Sequence, residues 1–171
     1  MTDRHRDLQL TVADLLRHPG ANRSVTREAV LDGLAVTGSR VPDGAPVRLE
    51  LELQAVNDGI VATGTVRAPW RGECRRCLKE AAGEVAGTVQ EIFERDPVEG
   101  ETRRLRDATI DLTEVARDAV LLELPIAPLC RDDCAGLCPT CGADRNEADC
   151  GCEPDTVDPR WAALEQITFD E

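Results

Sequence analysis

Alternating apolar and polar residues in the middle of the chain predict three β-strands. Residues 47–53 (VRLELEL) alternate strictly, a pattern typical of a strand with one buried face. Residues 60–70 and 84–93 predict a second and a third strand, and an Asn-Asp-Gly run at 57–59 supplies turn residues between the first two. We expect residues 47–93 to form an antiparallel meander, because consecutive strands in a chain usually pair with one another.

The apolar residues change to a helical period at residues 111–124. Asp111 and Glu114 resemble a capping box at the start of this helix, and Pro125 ends it because proline cannot continue a helix. We expect the apolar stripe of the helix to pack on the sheet. The stripe consists of Leu112, Val115, Ala116, Ala119 and Val120.

The remaining segments carry weaker patterns. Residues 8–16 predict a short strand running into a helical turn, whereas residues 17–25 and 95–109 are polar and predict loops. Residues 158–167 predict a short helix with Asp158 as its N-cap. Because the chain has two Phe, two Trp and no Tyr, we expect a core of aliphatic side chains.

Cysteines dominate a polar segment that has almost no apolar side chains. Six of the eight cysteines lie in residues 129–154. Such a segment cannot offset the entropy cost of ordering itself by burial, whereas bound zinc stabilises small folds by roughly 10 kcal/mol or more. No apolar signal-peptide region follows the N-terminus, so we expect a cytoplasmic protein, with no membrane partner, whose reduced thiols bind metal.

The cysteine spacing predicts two zinc sites of four thiolates each. A Cys-x2-Cys pair followed by glycine forms a knuckle whose backbone amides point at the sulfurs, and two pairs close a tetrahedral site. The C-terminal site combines Cys138, Cys141, Cys150 and Cys152. The other site, which requires a long-range contact, joins Cys74, Cys77, Cys130 and Cys134.

Other interpretations of the cysteines stay open. A site built from Cys130, Cys134, Cys138 and Cys141 would leave the remaining pairs free. A redox dithiol at Cys74 and Cys77 lacks the expected β-α context, since both flanks predict strands. An iron–sulfur cluster is a further alternative, although the bacterial ferredoxin spacing is absent.

Charge is distributed unevenly along the chain. Residues 1–80 carry twelve basic and eleven acidic side chains, whereas residues 81–171 carry eight basic and twenty-two acidic ones, so we expect any phosphate-binding surface in the first half. Cations beside an aromatic residue bind phosphates and stack on unpaired bases. The candidate RNA-binding residues are Arg67, Trp70, Arg71, Arg75, Arg76 and Lys79. The alternative is an ordinary exposed hairpin with the tryptophan in the core.

Several motifs together resemble the YceD-like proteins, the large ribosomal RNA subunit accumulation protein family. In chain order they are RHPGANRSV, RGECRRCL, LPIAPLC, LCPTCGADRNEADCGC and DPRWAALEQI. The family signature, Cys-x-Arg-Cys-Leu, corresponds to residues 74–78, and the extended cysteine segment is similar to that of the Gram-positive and actinobacterial branch. The resemblance implies a cytosolic, non-enzymatic factor for accumulation or processing of 23S ribosomal RNA and for ribosome assembly, which binds this RNA or a pre-ribosomal particle.

These observations predict an α+β fold. We expect an antiparallel β-sheet meander of four or five strands, a packed helix and a zinc-clipped C-terminal segment. We expect an α+β domain at residues 1–128, followed by a cysteine-rich zinc-binding segment and C-terminal helix at residues 129–171. The alternative functions are a zinc-ribbon adaptor that binds proteins, such as ribosomal proteins, and a dithiol redox protein.

Overall fold

A mostly antiparallel sheet, with one parallel edge strand, forms the centre of the fold in a computed structural model, which describes residues 6–57 and 59–152. The elements are a 3₁₀ turn (Arg6–Leu8), β1 (Gln9–Thr11), α1 (Ala13–Leu16), β2 (Asn22–Val30), β3 (Ser39–Arg40), β4 (Pro46–Val56), β5 (Gly59–Glu73), β6 (Glu80–Glu94), β7 (Arg103–Arg104), β8 (Thr109–Asp111) and α2 (Thr113–Glu123). The sheet has six strands in the order β2-β4-β5-β6-β7, with β3 paired to β5, while β1 and β8 form a separate two-stranded sheet. The predicted α+β fold is confirmed.

Strands β4, β5 and β6 form the predicted meander, and each is longer than its sequence pattern indicated. Strand β5 pairs antiparallel with β4 from Val56 opposite Gly59, and with β6 as far as Glu73 opposite Glu80. Every second residue of β4 is buried, as strict alternation requires. The buried face of β5 contains Ile60, Ala62, Val66 and Ala68. The long β5–β6 hairpin carries its closing turn, residues 74–79, to one end of the sheet.

Helix α2 packs on the buried face of the sheet. Its predicted apolar stripe is buried. A side chain at Gly87 of β6 would place its Cβ 2.3 Å from the carbonyl oxygen of Ala119, so the helix approaches the sheet at a distance that only glycine permits. The helix begins at Thr113 rather than Asp111, but the Asp111 carboxylate accepts a hydrogen bond from the Thr113 amide at 2.9 Å.

Two segments predicted as loops contain strands. Residues 22–25 begin β2, an edge strand in which Val25 and Ala29 are the buried residues, so its apolar pattern is too sparse for recognition. The predicted loop at 95–109 contains β7 and the start of β8. Arg103 of β7 lies 2.9 Å from Glu91 and 2.8 Å from Asp118, so cross-strand charge rather than apolar burial positions this strand.

The C-terminal prediction falls largely outside the described residues. The helix expected at 158–167 lies beyond residue 152, where the description ends. The division of the chain into residues 1–128 and 129–171 therefore stays a prediction.

Candidate metal centres and the adjoining basic surface

The turn between β5 and β6 places Cys74 and Cys77 on the same side of the hairpin. The Cys74 amide donates a hydrogen bond to the Lys79 carbonyl at 2.8 Å, and the Leu78 amide donates to the Cys74 carbonyl at 2.9 Å. Leu78 adopts a positive φ of 62°, which lets the chain reverse direction within this short turn. Both cysteines are buried as a result.

The first candidate metal centre joins this turn to the segment after α2. The sulfur atoms of Cys74, Cys77, Cys130 and Cys134 all lie within 4.8 Å of one another. The Cys74 and Cys134 sulfurs are 3.8 Å apart and the Cys77 and Cys130 sulfurs 3.6 Å apart, too far for disulfide bonds. Zinc–sulfur bonds of about 2.3 Å in a tetrahedron give sulfur separations of about 3.8 Å, so this donor set fits zinc.

Backbone and apolar contacts support the same junction. The Arg75 amide donates to the Pro128 carbonyl at 2.9 Å, and the Leu137 amide donates to the Arg76 carbonyl at 3.0 Å. Cys74, Cys77, Cys134 and Ala81 form a small buried cluster, separate from the main core, against which Trp70, Leu129 and Leu137 pack. The cysteines thus occupy the centre of a second, miniature core.

The second candidate centre lies wholly within the cysteine-rich segment. The sulfur atoms of Cys138, Cys141, Cys150 and Cys152 lie within 4.8 Å of one another. The Cys138 amide donates to the Ala143 carbonyl at 2.8 Å and the Gly142 amide to the Cys138 carbonyl at 2.9 Å, which closes the predicted knuckle. The fold therefore gathers all eight cysteines into the two groups of four that the spacing suggested, and Cys130 and Cys134 do not share a group with Cys138 and Cys141.

The thiols of the first centre differ widely in acidity. Burial raises the pKa of the Cys74 thiol, but hydrogen bonds from the backbone amides of Cys77, Cys130 and Arg76 lower that pKa to about 6. The neighbouring Cys77 side chain and burial raise the pKa of Cys130 to about 12. Protein groups alone therefore leave this centre partly protonated at neutral pH, whereas a divalent cation would hold all four sulfurs as thiolates.

The thiols of the second centre also differ widely in pKa. Hydrogen bonds from the backbone amides of Cys141 and Thr140 lower the pKa of Cys138 to about 6. The side chains of Cys141 and Cys150 raise the pKa of Cys152 to about 12. Thiolates placed this close together repel one another, which again favours a bound cation.

Asn146 and Asp144, which the sequence analysis did not single out, connect the two centres. Asn146 donates from Nδ2 to the Cys134 sulfur at 3.5 Å and accepts the Ala135 amide at 2.8 Å. Asp144 Oδ1 accepts both the Asn146 amide and its Nδ2, at 2.8 and 2.7 Å. The signal available in the sequence was their position in the chain between Cys141 and Cys150.

Lys79 ties the hairpin turn to this connection. Its ammonium group lies 2.6 Å from Asp144 Oδ2 and 2.7 Å from Glu147 Oε1. The Asp144 and Glu147 hydrogen bonds raise the pKa of Lys79, and the Lys79 hydrogen bond is the main reason that the pKa of Asp144 falls to about 2. Lys79 was a candidate RNA contact, and the structure places it in an ion-paired bridge.

Arg76 and Trp70 also have partners within the fold. The Arg76 guanidinium donates from Nη1 to the Cys134 carbonyl at 2.9 Å. The Trp70 indole is half-buried and packs against both the main core and the miniature core. Whether either residue also contacts RNA stays a prediction.

The other three candidate RNA-binding residues are exposed. Arg67 lies 3.5 Å from Glu84 across the outer face of the sheet. Arg71 and Arg75 have no carboxylate within ion-pair distance among residues 6–57 and 59–152. Free cations therefore lie at the cysteine end of the β5–β6 hairpin.

Comparison with known proteins identifies the family to which this architecture belongs. The sequence model of the family described as large ribosomal RNA subunit accumulation protein YceD matches residues 62–168. The chain belongs to the YceD family. The matched range includes all eight cysteines and the whole β5–β6 hairpin turn.

Proteins similar to this chain occur in bacteria and plants. An uncharacterized protein of Mycobacterium tuberculosis is 37% identical over 94% of this chain and 81% of its own length. The uncharacterized protein YlbN of Bacillus subtilis is 24% identical over 94% of this chain and 96% of its own. A chloroplastic large ribosomal RNA subunit accumulation protein YCED homolog of Arabidopsis thaliana is 24% identical over 72% of this chain and 49% of its own. No solved structure matches the chain.

Helices in the described part of the chain are short. None of them has the length and hydrophobicity needed to cross a membrane.

Proposed function

We propose that this protein is a zinc-stabilised, non-enzymatic factor of the cytoplasm that supports accumulation of large-subunit ribosomal RNA. It would act by binding precursor RNA or a pre-ribosomal particle. The family membership supports the connection to large-subunit RNA. The observation that carries the proposal is the pair of exposed arginines, Arg71 and Arg75, at the hairpin end that also carries the family signature. Within the described residues, neither guanidinium has a carboxylate at ion-pair distance.

Zinc has a structural role in this proposal. Each group supplies four cysteine sulfurs, which is the donor set of closed structural zinc sites, whereas catalytic sites keep a position open for water. Zinc would hold the segment after α2 against the hairpin and order a polar segment that lacks an apolar core of its own. This role accords with a protein that binds rather than catalyses.

Charge supports the hairpin, rather than the cysteine-rich segment, as the proposed RNA surface. A zinc ion with four thiolates carries a net charge of about −2, so metal binding leaves an acidic segment negative. RNA binding requires cations that are free to pair with phosphates. Arg67, Arg71 and Arg75 are exposed on the hairpin, whereas Arg76 and Lys79 hold the cysteine-rich segment in place.

A redox function is less well supported. The low pKa of Cys74 would suit a reactive thiol, but the residue has no exposed surface and its sulfur faces other cysteines. Reactive cysteines are normally partly exposed. A protein-binding adaptor would use the same zinc-stabilised scaffold, and the experiment below distinguishes it from the RNA-binding factor.

Charge reversal at Arg71 and Arg75 tests the proposal. We expect Arg71→Glu with Arg75→Glu to weaken binding to large-subunit precursor RNA roughly a hundredfold. The zinc content and the circular dichroism spectrum of this variant should be those of wild type. Arg104→Glu with Arg106→Glu makes the same charge change at the opposite end of the hairpin and serves as the matched control. Arg76 is left unchanged because its guanidinium anchors Cys134.

The outcome in cells completes this test. In a strain without the chromosomal gene, the control variant should restore large-subunit RNA levels and the Arg71 and Arg75 variant should not. Equal RNA affinity of both variants would refute the RNA-binding proposal. Ribosomal proteins retained by the purified protein after ribonuclease treatment would then support the adaptor.

A further inference from the structure

Arg40 and Arg71 stand directly opposite each other where β3 pairs with β5. Both residues are exposed, and within residues 6–57 and 59–152 no carboxylate lies at ion-pair distance from either guanidinium. Like charges directly opposite each other on adjacent strands repel and destabilise the strand pair. An anion held between the two guanidinium groups would remove this repulsion.

The backbone beneath this arginine pair is held firmly. Ser39, the neighbour of Arg40, is buried and donates from Oγ to the Pro125 carbonyl at 2.8 Å. A side chain at Gly72 would place its Cβ 2.3 Å from the Gly38 carbonyl oxygen, so the two strands meet in a contact that requires glycine. Both arginines therefore project from fixed backbone positions, as a preorganised binding site requires.

The arginine pair lines a groove of about 450 Å³ that carries both positive and negative side chains. Glu73 and Glu80, which stand directly opposite each other on β5 and β6, also line the groove. The Leu78 side chain, 57% exposed, contributes an apolar contact surface. The groove thus places two cations, two carboxylates and the apolar side chains of Ala35, Val36 and Leu78 around a space of the size that small ligands occupy.

A nucleotide with an amino-bearing base matches all of these groups. Guanidinium groups bind a phosphate through charge-assisted hydrogen bonds. Carboxylates accept a hydrogen bond from the amino group of cytosine, whereas uracil presents a carbonyl oxygen at the same place and would be repelled. A uniform polyanion would use the arginine pair but would be repelled by the two carboxylates.

We propose that this groove binds one unpaired nucleotide of the RNA whose base carries an amino group, with cytidine as the case that is tested. Arg40 and Arg71 hold its phosphate, Glu73 or Glu80 accepts its base amino group, and Leu78 contacts the base or the sugar. This inference rests on the proposed RNA-binding function and adds a substrate class and a sequence preference to it. Arg40 becomes a binding residue that the sequence pattern did not indicate.

The test compares the affinity of the full-length, zinc-loaded protein for oligocytidylate and oligouridylate of equal length by fluorescence anisotropy at several salt concentrations. We expect wild type to prefer oligocytidylate about tenfold. Arg40→Gln should weaken binding to both RNAs and lower the salt dependence by about one phosphate contact. Glu73→Ala with Glu80→Ala should bring the ratio of the two affinities close to one, whatever the change in overall affinity.

Arg104→Gln removes the same charge at the far end of the hairpin and is the control for Arg40→Gln. This inference would be overturned, while RNA binding itself stands, if these two variants weakened binding equally. It would also be overturned if wild type bound oligocytidylate and oligouridylate with equal affinity, or if the double alanine variant kept the wild-type ratio of the two affinities. Failure of wild type to bind either RNA or precursor RNA would instead overturn the proposed function. Zinc content and circular dichroism confirm that each variant is folded.

Discussion

Replacement of Cys74 and Cys77 by serine should lower the zinc content from two ions per chain to one and release the cysteine-rich segment from the hairpin. The sheet and α2 stay folded without this metal, so the flexible chain that the candidate centre would fix is the link from the end of α2 at Glu123 to Cys130. By polymer arithmetic, closing a flexible loop of about seven residues costs about 2 kcal/mol. Without the metal, the remaining contacts must offset that cost, so attachment of the segment weakens by roughly thirtyfold.

Elemental analysis and hydrogen exchange measure the two effects separately. The Arg75 amide, which donates to the Pro128 carbonyl at 2.9 Å, reports attachment of the segment and should exchange much faster in the double variant. Cys138→Ser with Cys141→Ser is the matched control, since it also removes one zinc but leaves the centre beside Arg75 intact. Its Arg75 amide should stay protected.

Any of three results would refute this reasoning. Retention of two zinc ions by the Cys74 and Cys77 variant would show that the turn supplies no ligands. Loss of one zinc with unchanged exchange at Arg75 would show that the metal does not hold the segment in place. A single zinc in wild type and in the variant would place the metal in the C-terminal centre and leave Cys74 and Cys77 available for other chemistry.

Three further predictions concern packing, ion pairing and the metal. Gly87→Ala should lower the free energy of unfolding by about 1–3 kcal/mol, measured by urea denaturation, because its Cβ would meet the Ala119 carbonyl oxygen. Asp144→Asn should lower the melting temperature equally at pH 8 and pH 6. The pKa of Asp144 is lowered from 3.8 to about 2, so its ion-pair contribution is complete well above pH 3.8 and is lost as the pH falls from there through about 2. A difference that shrinks between pH 8 and 6 would contradict this. Chelation should expose residues 129–152 to protease while the far-ultraviolet signal of the sheet persists, and simultaneous loss of both would contradict a structural role limited to this segment.

The arrangement explains how a chain with few aromatic residues orders its polar C-terminal part. The main core consists largely of aliphatic residues from the sheet and α2, with Phe93 as its fully buried aromatic residue. The cysteine-rich segment contributes Leu129 and Leu137 to a miniature core that is otherwise mainly cysteine. Metal–sulfur bonds would therefore supply the stabilisation that apolar burial supplies elsewhere.

The sequence by itself determined the elements that carry strong local patterns. Strict alternation indicated β4, and a helical stripe ending at Pro125 indicated α2, because burial of one face imposes a regular period on apolar residues. Close cysteine spacing likewise indicated the knuckle at Cys138 and Cys141. The edge strand β2 was not predicted, because few of its residues are buried and its apolar residues therefore do not alternate regularly.

Only the tertiary structure decided which distant groups meet. The spacing suggested that Cys74 and Cys77 pair with Cys130 and Cys134 but left a second grouping open, and the way in which the long hairpin and α2 place the two segments decides between them. The same holds for Arg40, which becomes a neighbour of Arg71 only through the register of β3 with β5. Strand register and helix packing arise from the sum of many contacts across the sheet, so residue types and spacing alone cannot specify them.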